Sequence, residues 1–207
     1  MDEAEYRILL ARARRLASGG RALLGIAGSP GAGKSTLAER LVGDLGPTAQ
    51  LVPMDGFHLP NATLDRLGLR GEKGSPRTFD AAGYVALLQV LRAAGPEPVD
   101  VPGFDRHTDE PVAACSTVAP DVRLIVTEGN YLLLDVPPWS DLRGLLDEVW
   151  FCSPPEADRL ERLVARHVRF GRSPEAALAW ATGSDAANAL VVEASRTRAD
   201  LICFGGR

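Results

Sequence analysis

Residues 28–36 read Gly28-Ser29-Pro30-Gly31-Ala32-Gly33-Lys34-Ser35-Thr36, a match to G-x-x-x-x-G-K-[ST] at every required position. Residues 21–27 before it (RALLGIA) form an apolar run of strand character, and residues 37–45 after it (LAERLVGDL) repeat apolar side chains at helical spacing. The motif therefore bridges a strand and a helix, the context in which it wraps a polyphosphate. Gly28, Gly31 and Gly33 let backbone N–H groups close on an anion with no Cβ in the way. With Ser29, Ala32 and Thr36 they make up the cradle, and the N–H groups and positive dipole end of the new helix face the same anion. Lys34 is spaced to reach the β- and γ-phosphates and the Ser35 hydroxyl to ligate Mg²⁺. A triphosphate held with magnesium is the expectation.

A chain of 207 residues suffices for one domain with a sizeable core, spanning 1–207, and is short for two. The net charge of -4 gives no general attraction for nucleic acid or an anionic membrane, and no aromatic and basic stacking platform is present, so any anion must be held by local geometry. No run approaches the roughly 18 apolar residues of a membrane span. A cytoplasmic protein with neither membrane nor nucleic-acid partner is expected. Cys115, Cys152 and Cys203 are widely spaced and lack a metal-binding pattern, so they read as core thiols in a reducing compartment.

Residues 2–18 place Tyr6, Leu9, Leu10, Ala13 and Leu16 at helical spacing until Ser18-Gly19-Gly20 stops the pattern, and the arginines of this helix read as a solvated face. Residues 50–54 (QLVPM) form a second apolar run, ending at Asp55-Gly56. Ligands of an α/β sheet gather at the carboxyl ends of its strands, which puts Asp55 at the same edge as the phosphate loop. There it is either a base for an attacking hydroxyl that also helps order Mg²⁺, or a turn residue bonding its own backbone. Residues 56–79 make a long acceptor-side loop carrying Arg66, Arg70, Lys73 and Arg77, too long for a simple connection. Asp80 reads as the N-cap of a helix whose apolar face is Tyr84, Leu87, Leu88 and Leu91.

Residues 98–104 (PVDVPGF) read as an extended edge segment delivering Asp105, Arg106 and His107, with His107 either a polar loop residue or a substrate contact. Residues 122–127 (VRLIVT) are the most strand-like run of the chain; Glu128 at their tip either holds Mg²⁺ through water or bonds nearby backbone. After a further strand at 147–152 (DEVWFC), a helix from Glu156 to about residue 170 carries Arg159, Arg162, Arg166 and Arg169, with Arg172 just beyond. This arginine segment, over 159–173, is either a solvated face or a lid over transferring phosphates. Residues 174–198 read as a helix broken near Gly183, and 199–204 as a final strand. Strands alternating with helices indicate an α/β architecture, a mostly parallel central sheet in three layers.

The ordered series GSPGAGKST at 28–36, MDGFHLPN at 54–61, RGEKGSPRTFD at 70–80, VPGFDRH at 101–107, TEGNYLL at 127–133, the arginines of 159–172 and ADLI at 199–202 resembles the P-loop kinases of the phosphoribulokinase and uridine kinase family, which includes bacterial pantothenate kinases. The resemblance implies the P-loop NTPase fold and transfer of the ATP γ-phosphoryl group to a hydroxyl of a small metabolite, such as a sugar, a nucleoside or a pantothenate-like compound. It implies that Asp55 is the base, that Glu128 supports Mg²⁺, and that Arg166, Arg169 and Arg172 contact phosphate, with Arg166 acting beside Lys34 in catalysis. It also implies that Asn188 lines the acceptor pocket. Arg77, Arg106, His107 and Tyr131 are the remaining candidates for acceptor recognition. Uridine kinases carry an acidic residue two places before the proline of this segment, where this chain has Gly74, and the Tyr-Ser-His segment of pantothenate kinases reads Phe104-Asp105-Arg106 here. Neither substrate is therefore indicated. The rival class is an ATP-binding regulator or transporter accessory protein with slow ATPase activity, and a homodimer is compatible with either reading.

Overall fold

The computed structural model describes residues 1–203, so Phe204, the expected end of the last strand, lies outside the described residues. In chain order the strands are β1 (Ala22–Gly28), β2 (Ala49–Pro53), β3 (Val99–Asp105), β4 (Glu110–Val118), β5 (Leu124–Gly129), β6 (Glu148–Cys152) and β7 (Leu201–Cys203). The helices are α1 (Glu3–Ala17), α2 (Lys34–Leu45), α3 (Asn61–Leu67), α4 (Ala81–Ala93), α5 (Glu156–Arg169), α6 (Pro174–Thr182) and α7 (Ser184–Glu193). Five strands form one sheet in the order β2-β5-β1-β6-β7, every pair parallel, while β3 and β4 pair antiparallel as a separate hairpin.

Continuous apolar runs suit the two middle strands because helices cover both faces, and β1 and β5 are buried at every residue. Successive side chains then alternate between two cores. Leu23, Ile125, Val149 and Phe151 join Tyr84, Leu88 and Leu91 of α4 on one face. Leu24, Val126 and Trp150 join Tyr6 and Leu9 of α1 and Leu37 and Leu41 of α2 on the other. This is the three-layer arrangement. Local signals set the helix starts: Asp2 accepts the Glu5 N–H at 2.7 Å to cap α1, and Asp80 accepts the Gly83 N–H at 2.9 Å to cap α4. The arginines of α1 are not all free in solvent, since Arg12 donates to Glu148 at 2.6 Å and ties α1 to β6. Among the described residues no helix is long and apolar enough to cross a membrane.

Two local expectations need correction, and one strand was not foreseen. Residues 56–79 are not one loop: α3 forms after Pro60, buries Leu64, and ends at Gly68 in a left-handed conformation (φ 69°). Strand β4 carries mostly exposed side chains, so no apolar alternation announced it. For the same reason Cys115 on β4 is an exposed thiol rather than a core one, whereas Cys152 and Cys203 are buried on adjacent strands with their Sγ atoms 3.6 Å apart. The break at Gly183 does separate α6 from α7.

Strand register fixes the functional edge. Pro53 lies opposite Glu128, and Gly28 opposite Cys152. Asp55, two residues past Pro53, therefore emerges with Glu128 and the 28–36 loop at the carboxyl ends of the strands, where the sheet order leaves a crevice.

Candidate active site

The loop from β1 to α2 is shaped by close backbone approach. Gly31 (φ 83°) and Gly33 (φ 90°) take left-handed backbone, and a Cβ at Gly31 would lie 2.6 Å from the Arg159 carbonyl oxygen. Arg159, 5% exposed, donates from Nη1 to the Pro30 carbonyl at 2.8 Å and pairs with Glu156 through its other nitrogens. Ser29 Oγ donates to Glu193 Oε1 of α7 at 2.9 Å. The loop is thus braced from behind by α5 and α7. In front, α2 starts at Lys34 with Gly33 as its N-cap and no capping side chain, so its first N–H groups are left for an anion.

The charged centre lies just ahead of this helix end. Lys34 Nζ donates to Asn130 Oδ1 at 2.8 Å and to the Ser29 carbonyl at 3.1 Å, and burial lowers its pKa against the pull of Glu128. Ser35 Oγ donates to Glu128 Oε1 at 3.0 Å. Arg106, carried by the β3–β4 turn, donates from Nη2 to Asp55 Oδ2 at 2.8 Å. Burial resists ionisation of Asp55, but the Arg106 guanidinium, with Arg166 and Lys34 behind it, holds its carboxyl below the usual range. Glu128 moves the other way: burial and then the Asp55 charge raise its carboxyl above the usual range. Two neighbouring carboxyl groups pushed apart in this way are fitted to different tasks.

Three spaces meet at this centre. A cavity of about 100 Å³ is bounded by Lys34, Ser35, Asp55, Arg106, Glu128 and Arg166. A groove of about 530 Å³ follows the loop past Gly33, Ser35, Thr36, Arg166 and Arg169. A third cleft, of about 290 Å³, opens between the β3–β4 turn and the end of α5, walled by Arg106, His107, Arg166, Phe170 and Arg172. Arg106 and Arg166 line all three.

The sequence candidates separate accordingly. Asp55, Lys34, Ser35, Glu128, Arg106 and Arg166 converge on the cavity. Gly28 and Ala32 shape the loop from within, and Ala32 is fully buried. Arg172 is outside the groove along the loop, with its guanidinium 4.1 Å from the Trp180 ring centre. His107 sits at the hairpin turn, edge-on to Phe170. Arg77 is exposed, pairs with Glu72 at 3.3 Å and borders a separate groove with Trp139. The buried Tyr131 donates its hydroxyl to the Gly74 carbonyl and so fastens the 70–79 segment, and the buried Asn188 adjoins Gly74 on α7. Arg77, Tyr131 and Asn188 do not line the Asp55 cavity.

His58, Asn130 and Asp185 line that cavity and were not singled out from the sequence. His58 stacks on Phe79 at 4.0 Å, its Nδ1 has no hydrogen-bond partner among the described residues, and burial lowers its pKa to about 4, leaving the ring neutral near pH 7. Its signal was adjacency to Asp55-Gly56-Phe57, as that of Asn130 was adjacency to Glu128. Asp185 comes from α7 and bonds His167 Nε2 at 2.7 Å; nothing in the local sequence marked it.

No family profile matches the chain. A protein of Schizosaccharomyces pombe provisionally named a uridine kinase is 32% identical over 196 residues, 88% of this chain and 82% of that one. An ATP-dependent kinase-like protein of Aspergillus versicolor is 40% identical over 134 residues, 61% of this chain and 77% of that one. Among solved structures, a protein of Silicibacter sp. provisionally named a fructose transport system kinase superposes with a TM-score of 0.85 at 41% identity, over 96% of this chain and 98% of that one. Similar to the Schizosaccharomyces pombe and Silicibacter proteins over most of their length, and carrying the phosphate loop and parallel sheet described above, the chain belongs to the small-molecule P-loop kinases of the phosphoribulokinase and uridine kinase family.

Proposed function

We propose that the chain moves the ATP γ-phosphoryl group onto a hydroxyl of a small polar metabolite. The observation that carries this is one cavity shared by the phosphate-loop groups Lys34 and Ser35 and by a carboxylate, Asp55, from the neighbouring strand tip. The amides at the head of α2 and Lys34 receive the β- and γ-phosphates, and Arg166 and Arg169 lie over the same groove. Among the described residues no group of three or more His, Cys, Asp or Glu is arranged to hold a metal ion, which fits Mg²⁺ retained by one or two side chains plus phosphate oxygens and water. Ser35 and Glu128, already 3.0 Å apart, are the residues that would hold it, and it would neutralise charge on the donor phosphates.

Asp55 orients the acceptor hydroxyl and takes its proton as the O–P bond forms. Its lowered pKa keeps it ionised and ready to accept, and Arg106 fixes the carboxylate in place until the hydroxyl arrives. The test is acceptor-dependent ADP release across sugars, polyols, nucleosides and pantothenate, comparing the parent with Asp55→Asn. The acceptor-dependent rate is expected to fall by about 10²–10⁴. A variant that keeps the full rate removes Asp55 from the chemistry; a parent that binds ATP and responds to no acceptor returns the chain to the regulator class.

A further inference from the structure

The third cleft carries more positive charge than the kinase chemistry accounts for. Arg106 is neutralised by Asp55 at 2.8 Å, and the Asp109 carboxylate on the same wall is taken by Lys73 at 2.9 Å. Asp185 is paired with His167 at 2.7 Å. Arg166 and Arg172 have neither an ion pair nor a side-chain hydrogen bond among the described residues. Burial and then the Arg106 charge lower the Arg166 pKa against the opposing charges of Asp55, Asp185 and Glu128, none of which bonds it directly. Arg172 rests instead on the face of Trp180, which holds it at the cleft without using its N–H donors.

Donor phosphates explain part of this surplus and not the rest. Arg166 borders the groove along the phosphate loop, but Arg172 and His107 do not; they line the cleft between the hairpin turn and the end of α5. That cleft and the Asp55 cavity share Arg106 and Arg166 as walls. A molecule with its hydroxyl at Asp55 therefore extends past those two side chains toward Arg172. The inner cavity, about 100 Å³, takes the hydroxyl-bearing part of such a molecule, and the outer cleft, about 290 Å³, has room for a further group beyond Arg106 and Arg166. Phe104 and Phe170 supply apolar walls there, and Arg172 presents the planar fork suited to carboxylate or phosphate.

We infer that the acceptor is itself an anion: a small hydroxylated compound whose carboxylate or phosphate sits between Arg166 and Arg172 while its hydroxyl meets Asp55. The inference rests on the kinase reading for the position of the hydroxyl, and on the outer cleft alone for the charge. A neutral sugar or nucleoside would leave Arg172 without a counter-charge in the outer cleft, where Asp109 is already taken by Lys73.

The test has two arms. In the first, the full chain is saturated with Mg²⁺ and a non-hydrolysable ATP analogue, so that the phosphate loop is filled, and titrated calorimetrically with inorganic phosphate and separately with acetate. At least one should bind, and the tighter of the two identifies the anionic group. Arg172→Ala, checked for a parent-like melting temperature, should weaken that binding tenfold or more, and Arg172→Lys should recover part of it. In the second arm, ADP release is measured with glycerol, glycerate and glycerol 3-phosphate. An anionic member should exceed glycerol in kcat/KM by tenfold or more, and Arg172→Ala should raise its KM far more than it shifts nucleotide affinity. Anion binding that stays within twofold in Arg172→Ala, or glycerol as the best acceptor, overturns the inference and leaves the kinase reading standing. Anion binding lost in the variant with no acceptor raising ADP release keeps the anion cleft and removes the kinase reading.

Discussion

Replacing Arg159 by Met separates two meanings of an arginine in α5. Arg159 belongs by spacing to the same series as Arg162, Arg166 and Arg169, yet its side chain is turned inward and 6% exposed. Met fills similar space, so the packing of the aliphatic stem is largely kept and the polar contacts are what is lost. Glu156 is 74% exposed, and an ion pair to so exposed a partner contributes little. The bond to the Pro30 carbonyl is different, because it is buried and charge-assisted; breaking it leaves an unsatisfied oxygen and costs about 1.5–3 kcal/mol. At about 2–4 °C per kcal/mol for a chain of this size, the melting temperature should fall by about 3–12 °C. The phosphate loop should loosen as well, weakening ATP binding about tenfold, so that ATP restores less stability to the variant than to the parent. Differential scanning calorimetry with and without Mg²⁺-ATP reads both effects. If ATP affinity collapses while the ligand-free melting temperature is unchanged, Arg159 is a direct phosphate contact and the bracing argument is wrong.

Gly31→Ala combines left-handed backbone, which costs about 1–2 kcal/mol for a residue with a Cβ, with a contact of 2.6 Å to a backbone oxygen that cannot swing away. A loss of about 2–4 kcal/mol in chemical denaturation is expected, and unchanged stability would mean that the loop and α5 are not packed as described. Arg106→Leu tests the Asp55 environment. In the parent the depressed Asp55 pKa stabilises the fold above the ordinary carboxylate range, and this contribution is lost as pH falls through the folded value. Removing Arg106 leaves burial dominant, so the Asp55 pKa should rise and the loss of stability on acidification should begin at higher pH. The pair is partly exposed, at 37% and 28%, so the shift should be about 1–2 pH units rather than the full buried-pair value. Carboxyl-carbon NMR of Asp55 in parent and variant reads it directly, and identical titration midpoints would refute the assignment.

The phosphate loop was legible because its chemistry is local: glycines, a lysine and a hydroxyl must occur at fixed spacing for backbone amides to converge, whatever surrounds them. The strands at 22–28 and 124–129 were legible because burial on both faces demands unbroken apolar runs. Strand β4 was not, since both its faces tolerate exposed residues and the pairing to β3 depends on backbone hydrogen bonds rather than on side-chain pattern. The arginine series shows the limit most clearly. Spacing put Arg159, Arg162, Arg166 and Arg169 on one helix, but only docking of that helix against the loop turned Arg159 inward and left Arg166 at the charged centre. Asp185 was invisible for the same reason, since its role follows from where α7 packs, and no local pattern encodes that.

The braces behind the phosphate loop also order events during synthesis. Residues 28–36 leave the ribosome well before Arg159 and Glu193 exist to hold Pro30 and Ser29. A nascent chain that has made only its first strands and helices carries the whole signature with none of its rear support. Firm nucleotide grip is therefore expected only once α5 and α7 have docked behind the loop.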